Sequence, residues 1–247
     1  MDRALYIAMS GAVNTMRSQA VTANNLANLN TIGFKKDFSN YMDMQVNGGI
    51  YPSRAFSVNE GSKPDFSPGQ MIVTGRDLDV AVQGNGFIAV QVPDGSEAYT
   101  RSGSLNVSQN GILTSGQGYP VVGNDGAIIA IPPSEKIEIG GDGTITILPI
   151  GQDATSMAVV DRIKLVNPEY GSVNKGDDGL FYISNTNKIE PDASVSLVTG
   201  NLESSNVNGI TEMVNMITNA RLFESQIKVM TAVKENDTAS SKLLRLS

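Results

Sequence analysis

The sequence predicts a mainly β protein with long terminal helices. An N- and a C-terminal α-helix pair as a coiled-coil-like unit, a central antiparallel β domain stands between them, and an extended connector joins the first helix to that domain. Three observations predict this. Apolar residues near both ends recur every three or four positions, Asn-Gly and Asp-Gly pairs punctuate the middle, and a stretch with Gly48-Gly49, Pro52, Pro64 and Pro68 separates the two patterns. The expected segments are 1–36 (helix and turn), 37–69 (connector or irregular hairpin), 70–204 (β domain) and 205–247 (helix).

In the first segment Leu5, Met9, Ala12, Met16, Ala23 and Leu26 fall four and three apart, with Gln19 as the one break. Such a heptad-like stripe marks a helix that packs along one face. It is rich in Ala and Met, so it is narrow and permits close approach. It should end near Asn30, because Gly33 is a helix stop signal. Four asparagines, Asn24, Asn25, Asn28 and Asn30, crowd this helix end, although asparagine competes with the backbone for hydrogen bonds. Asn24 and Asn28 lie off the stripe, one turn apart, and Asn25 flanks it. Two readings stand: the amides fix register against another helix, or they are solvated at a fraying end.

The last segment repeats the pattern. Met213, Met216, Ala220, Phe223, Ile227 and Met230 follow three-four spacing, with Ile210, Ile217 and Val233 on the shoulders. Asn208 or Thr211 can cap its start, and Glu212 suits a first turn. Each helix alone cannot bury its stripe, so its stability comes mostly from packing. The plain expectation is that the two helices pack on each other. The sharper one is that the pair still exposes apolar surface and therefore polymerises.

In the middle, Asn-Gly or Asp-Gly pairs occur at 47–48, 85–86, 94–95, 110–111, 125–126, 142–143 and 178–179. Each is a hairpin signal when alternation flanks it. Ile137 and Ile139 precede Gly-Gly-Asp-Gly, and Ile145 and Ile147 follow it. Leu78, Val80 and Val82 alternate with Asp79 and Ala81. Many short antiparallel strands are expected here.

Charge and composition narrow the function. Residues 1–36 carry +3 and residues 210–247 carry +1, which leaves −11 of the total −7 for the middle. An acidic middle repels nucleic acid and anionic lipid, so partners belong at the ends. No apolar run approaches the roughly 18 residues of a membrane helix, and no membrane insertion is expected. Ser10, Asn14, Thr15, Arg17, Ser18 and Gln19 interrupt any apolar core of a cleaved secretory signal.

The chemistry of catalysis is sparse. There is no Cys and no His, which removes thiol nucleophiles, the commonest general base and the usual zinc sites. Gly84-Asn85-Gly86 lacks the third glycine of a dinucleotide loop, and no phosphate loop is present. Asp77 with Asp79, and Asp177 with Asp178 near Glu169, are carboxylate pairs of the kind that serve glycosidases or calcium. Their surroundings read as the solvent face of a strand and a turn. No catalytic, cofactor or metal site is expected.

ANNLANLNTIGFKKDF (Ala23–Phe38) resembles the N-terminal signature of the bacterial flagellar rod and hook proteins. Gly75–Leu105, Ile112–Gly123 and Ser205–Met230 are similar to further blocks of that family, in family order. The opening MDRALYIAMSGA and the length are most similar to its proximal-rod member, with the distal-rod member as the alternative. Leu222-Phe223 departs from the Ala-Tyr usual there. The resemblance implies a structural driveshaft subunit of the basal body, exported through the flagellar type III apparatus and stacked helically. Its implied partners are copies of itself, neighbouring proximal- and distal-rod proteins, the membrane ring and the export apparatus, in the periplasmic space. The N-terminal residues from Leu5 to Leu26 named above, the four asparagines, Gly33, Phe34 and the six C-terminal stripe residues become an expected assembly surface. A secreted β-rich module that binds or cuts the cell wall is the competing class, which the absence of Trp disfavours.

Overall fold

In the computed structural model, which describes residues 3–45, 55–152, 156–183 and 188–244, the chain divides into two units. The first gathers Met1–Leu29, Asp37–Asp65 and Val207–Ser247; the second gathers Asn30–Lys36 and Phe66–Asn206.

The first unit contains helix α1 (Arg3–Ala27), strands β1 (Asp37–Gln45) and β2 (Ala55–Pro64), and helix α2 (Gly209–Leu244). β1 and β2 pair antiparallel from Asp37↔Pro64 to Gln45↔Ala55, with a register shift between Asn40 and Tyr41. The expected connector is thus a long hairpin; its Asn47-Gly48 signal lies outside the described residues. α1 ends at Ala27, earlier than the expected Asn30, and Asn28 closes it: both its backbone N–H and its side-chain amide donate to the Asn24 carbonyl, at 3.1 and 3.0 Å. Asn208 caps α2, its side-chain oxygen accepting the N–H groups of Ile210 and Thr211. This satisfies two of the donors that a helix start leaves without intrahelical partners.

α1 and α2 pack against each other, and small residues make the contact possible. A Cβ added at Gly11 would stand 3.1 Å from the Gln226 amide, and one at Gly209 3.1 Å from Leu29 Cδ2. The helices therefore run antiparallel. On α1 the buried positions are Ala8, Ala12, Thr22 and Asn25.

The second unit holds fourteen described strands. They are β3 (Met71–Val73), β4 (Val80–Gln83), β5 (Phe87–Gln91), β6 (Glu97–Thr100), β7 (Leu105–Val107), β8 (Leu113–Ser115), β9 (Ser134–Ile139), β10 (Thr144–Pro149), β11 (Ala158–Arg162), β12 (Leu165–Val166), β13 (Val173–Lys175), β14 (Phe181–Ile183), β15 (Ser196–Thr199) and β16 (Asn201–Glu203). One sheet has the order β12-β5-β6-β14-β13, another β11-β10-β9, and β15-β4, β16-β3 and β7-β8 pair as ribbons; all pairings are antiparallel.

The hairpin around Gly-Gly-Asp-Gly forms in the expected register, Ile139 opposite Ile145 and Ile137 opposite Ile147. Gly143 has φ +86°, a conformation open to glycine without the Cβ penalty. The Asp94-Gly95, Asn110-Gly111 and Asp178-Gly179 pairs likewise join β5 to β6, β7 to β8 and β13 to β14. Asn85-Gly86 does not make a hairpin, because β4 and β5 lie in different sheets.

Val80, Val82, Ile88, Leu105, Leu113, Ile145, Ile163 and Leu180 build one buried cluster, and Phe87, Tyr99, Val166 and Phe181 a second. Phe66 stacks on Tyr170 at 4.3 Å and meets Phe87 edge-on. Each full burial of such an aliphatic or aromatic side chain stabilises by about 1.5–3 kcal/mol. The alternation read at 78–82 is overturned: Val80, Ala81 and Val82 are all buried, so both faces of β4 are covered. Asp79 is buried as well rather than solvated, and its carboxylate meets Arg76 Nη1 at 3.3 Å.

Candidate assembly surface

Two faces of α1 divide the work between them. The inward one carries Ala8, Gly11, Ala12, Thr15, Thr22 and Asn25, all buried or half-buried. The expected stripe occupies a different line. Leu5, Met9, Met16 and Ala23 are exposed, Ala12 is buried and Leu26 half-buried. The stripe is therefore not the seam with α2, apart from Ala12. The physical reason is distance: helices at close approach accept Gly, Ala and Thr, and exclude Met and Leu.

On α2 the half-buried positions Met216, Ala220, Phe223, Gln226, Met230 and Val233 form the line that includes the Gln226 contact with Gly11. Met213 and Ile227, read as part of that stripe, are exposed, as are Ile210 and Ile217. The helix pair thus leaves a run of large apolar side chains in water on both members. A soluble surface seldom gathers them so closely without a partner.

The asparagines separate into distinct tasks. Asn25 is buried and pairs with the backbone of Asp37 in both directions: its amide donates to the Asp37 carbonyl and its oxygen accepts the Asp37 N–H, each at 2.9 Å. It behaves as a strand partner projected from a helix, which fixes where β1 begins. Asn24 and Asn30 are exposed and Asn28 closes the helix.

Gly33 and Phe34 belong to the second unit, in the turn at 31–36. Gly33 has φ +70°, and a Cβ there would lie 2.4 Å from the Arg101 carbonyl carbon. Phe34 is buried, with Lys175 Nζ 3.7 Å from its ring centre. The turn is held by a charge cluster that sequence reading missed. Lys35 Nζ lies 2.6 Å from Glu203 Oε1, and Arg101 Nη1 lies 3.1 Å from Oε2; the three side chains are 2% exposed or less. The Gly69 N–H donates to the same Oε1 at 2.9 Å, and the Gly33 N–H donates to the Glu203 carbonyl at 2.8 Å. Lys35 also donates to the Ser67 carbonyl and Arg101 to that of Gly84. Two cations share this one carboxylate, and the carbonyl dipoles add to the solvation of their buried charge. Asn206 completes the knot, accepting the Lys36 N–H and donating to Ser67. No periodicity announces a buried charge, so only the paired Lys35-Lys36 offered any hint.

Asp177 and Asp178 are exposed in the β13–β14 turn, where Asp178 accepts the Leu180 N–H. Among the described residues, no group of three or more acidic, His or Cys side chains stands where it could hold a metal ion. No described helix is long and apolar enough to cross a membrane.

Comparison with known proteins agrees with this layout. A family model described as flagella basal body rod protein matches residues 5–35; the D1 domain of flagellar hook protein FlgE/F/G matches 81–147; the flagellar basal body rod FlgEFG C-terminal model matches 198–243. The chain is 42% identical to the flagellar basal-body rod protein FlgF of Escherichia coli K12, over the whole of both chains. It is 34% identical to FlgF of Caulobacter vibrioides, over 93% of each. FlgG of Bacillus subtilis is 32% identical, over 95% of this chain and 96% of that one. With the rod signature on α1, the D1 match on the strands and the C-terminal match on α2, the chain belongs to the flagellar basal-body rod protein family and is a structural subunit of the flagellar rod.

Proposed function

We propose that this chain builds the proximal part of the rod, and that it polymerises through the exposed apolar faces of α1 and α2. The observation that carries this is the coincidence of full-length similarity to FlgF proteins with large apolar side chains left outside an already paired helix unit. The assembly residues are Leu5, Met9, Met16, Ala23 and Asn24 on α1 and Met213 and Ile227 on α2. Ala12, Leu26, Met216, Ala220, Phe223 and Met230 hold the helix pair in the shape that presents them. Asn25, Asn28, Asn30, Gly33 and Phe34 set the exit from α1.

On this reading the partners are other copies and the neighbouring proximal- and distal-rod subunits, with the membrane ring and export apparatus at the base. The subunit reaches the periplasmic span through the flagellar export route, and no catalytic, cofactor or metal site is proposed among the described residues. The greater identity to FlgF than to FlgG favours the proximal position.

The test is complementation. A motile bacterium lacking its own FlgF receives this chain with a small epitope in the β9–β10 turn. Recovered swimming, with the label at the membrane-proximal end of isolated basal bodies, is the expected result. Label confined to the hook-proximal end would move the chain to the distal rod. Full secretion without incorporation would overturn the structural role.

A further inference from the structure

We propose that the cleft between the β5–β6 turn and the turn after β8 binds a proline-rich peptide segment with a basic flank, presented by a partner protein. This goes beyond the rod-subunit reading and does not depend on it.

The cleft encloses about 410 Å³, and Gln91, Val92, Pro93, Gln117, Tyr119 and Pro120 supply its lining side chains. That volume lies within the range of about 300–1,000 Å³ common to ligand sites. Its walls are fixed from below. The Gln91 N–H donates to the Pro120 carbonyl at 2.8 Å and so ties one wall to the other. Each turn also closes on itself: the Gly95 N–H donates to the Val92 carbonyl at 2.9 Å, and the Gly118 N–H to that of Ser115 at 2.8 Å. A preformed cleft loses little ordering entropy when it binds. Pro93 and Gln117 are exposed, while Tyr119 and Pro120 are half-buried. The Gln117 amide and the Tyr119 hydroxyl make no hydrogen bond to another described residue, so both are open to a ligand.

Proline and tyrosine surfaces beside amide and hydroxyl donors suit a polyproline II segment. Such a segment makes no internal hydrogen bonds, so its carbonyls are free to accept, and its rings fill apolar grooves. Charge selects the flank. No lining side chain is charged, but two carboxylates stand at the rim. Asp94 lies in the turn between Pro93 and Gly95, and Asp178 precedes Gly179, where an added Cβ would lie 4.0 Å from Gln117 Nε2. The Ser96 hydroxyl holds the Asp94 carboxyl below the usual range, so it is charged at neutral pH. Burial and then the Asp178 carboxylate push the Tyr182 phenol up, and Tyr119 and Asp94 add to the push, so these groups share one rim. The two carboxylates already accept directional bonds from Ser96, Leu180 and Tyr182. They keep their charge, which attracts a Lys or Arg side chain, but offer little to the hydroxyl network of a saccharide. An anionic partner is repelled.

The full chain is titrated into a dye-labelled hexaproline peptide preceded by a pair of arginines, with fluorescence anisotropy as the readout. A peptide with glutamates in place of the arginines and a dye-labelled chitotetraose complete the set. The expected result is saturable binding of the arginine peptide. Glutamate in place of arginine should weaken it about fivefold, the size of one exposed ion pair, and rising salt should narrow that difference. Gln117→Ala and Tyr119→Phe should each weaken binding about threefold or more, as the loss of one hydrogen bond does. Asp94→Asn should reduce the preference for arginine over glutamate. Circular dichroism melts matching the parent establish that each variant is folded, and the exposed Gln117 carries the test if Tyr119→Phe melts lower. Absence of peptide binding overturns the proposal. Binding that all three variants leave unchanged lies outside the cleft and overturns it too. Equal affinity for both peptides overturns the basic flank, and chitotetraose binding without peptide binding makes the cleft a saccharide site instead. The complementation test judges the rod reading separately.

Discussion

At the scale of single residues, Glu203 concentrates the most consequence in one carboxylate. It accepts from Lys35, Arg101 and the Gly69 N–H while fully buried. Glu203→Gln keeps the shape and removes the charge that Lys35 and Arg101 face at 2.6 and 3.1 Å. Removing one partner of a buried ion pair costs about 3–5 kcal/mol, so urea unfolding followed by far-UV circular dichroism should shift by that order. Lys35→Met leaves the Arg101–Glu203 pair intact and should cost less; an equal or larger loss would show that the cluster is not centred on Glu203. A second group of single residues sets the response to acid. Asp94, Asp142 and Asp192 each accept the N–H two residues on, from Ser96, Thr144 and Ser194. Their carboxyls lie below the usual range, chiefly through the Ser96 and Thr144 hydroxyls for the first two and the Ser194 backbone for the third. A lowered folded-state pKa stabilises above the unfolded value of about 3.9 and loses that contribution as pH falls through the folded one. Melting temperature should therefore drop in that acid window, and Asp142→Asn should flatten the drop. An unchanged acid limb in the variant would remove Asp142 from the account.

At the scale of elements, what could be read from sequence depended on whether packing followed size. The β9–β10 hairpin was legible because alternation and a Gly-Gly-Asp-Gly turn agree. On α2, the positions Met216, Ala220, Phe223 and Met230 follow the period and are half-buried. α1 was misread as to its partner: hydropathy ranks Leu5, Met9 and Met16 above Gly11 and Thr15, yet close approach selects the smaller residues. The solvated reading of Asp79 failed for a related reason, since alternation says nothing of a strand covered on both faces. The knot at Glu203 was illegible because its members come from three distant segments. Ala220→Asp tests the helix element. A carboxylate in the half-buried α2 line loses hydration without a partner, so incorporation into rods should fail while the β unit keeps its melting temperature. Secretion is assayed separately, and normal incorporation would show that this line tolerates charge.

At the scale of the whole molecule, the two units should differ in local stability. Unit two buries large aliphatic and aromatic clusters, whereas the α1–α2 contact rests on Gly, Ala, Thr and half-buried side chains. Local opening follows buried apolar contact. In the monomer, amide exchange should be slow through β4–β16 and fast through α1 and α2; slow exchange in both helices of a verified monomer would contradict this. The antiparallel match of Gly11 with Gln226 also fixes an order of events in time. α1 leaves the ribosome before the β unit and its partner helix after it. Contacts between such distant segments close a long loop and form slowly. A nascent chain therefore carries an unmatched first helix until the β unit is complete at β16 and α2 has followed it. The paired helix surface therefore exists only after the β unit has been made, since its two halves flank that unit in sequence.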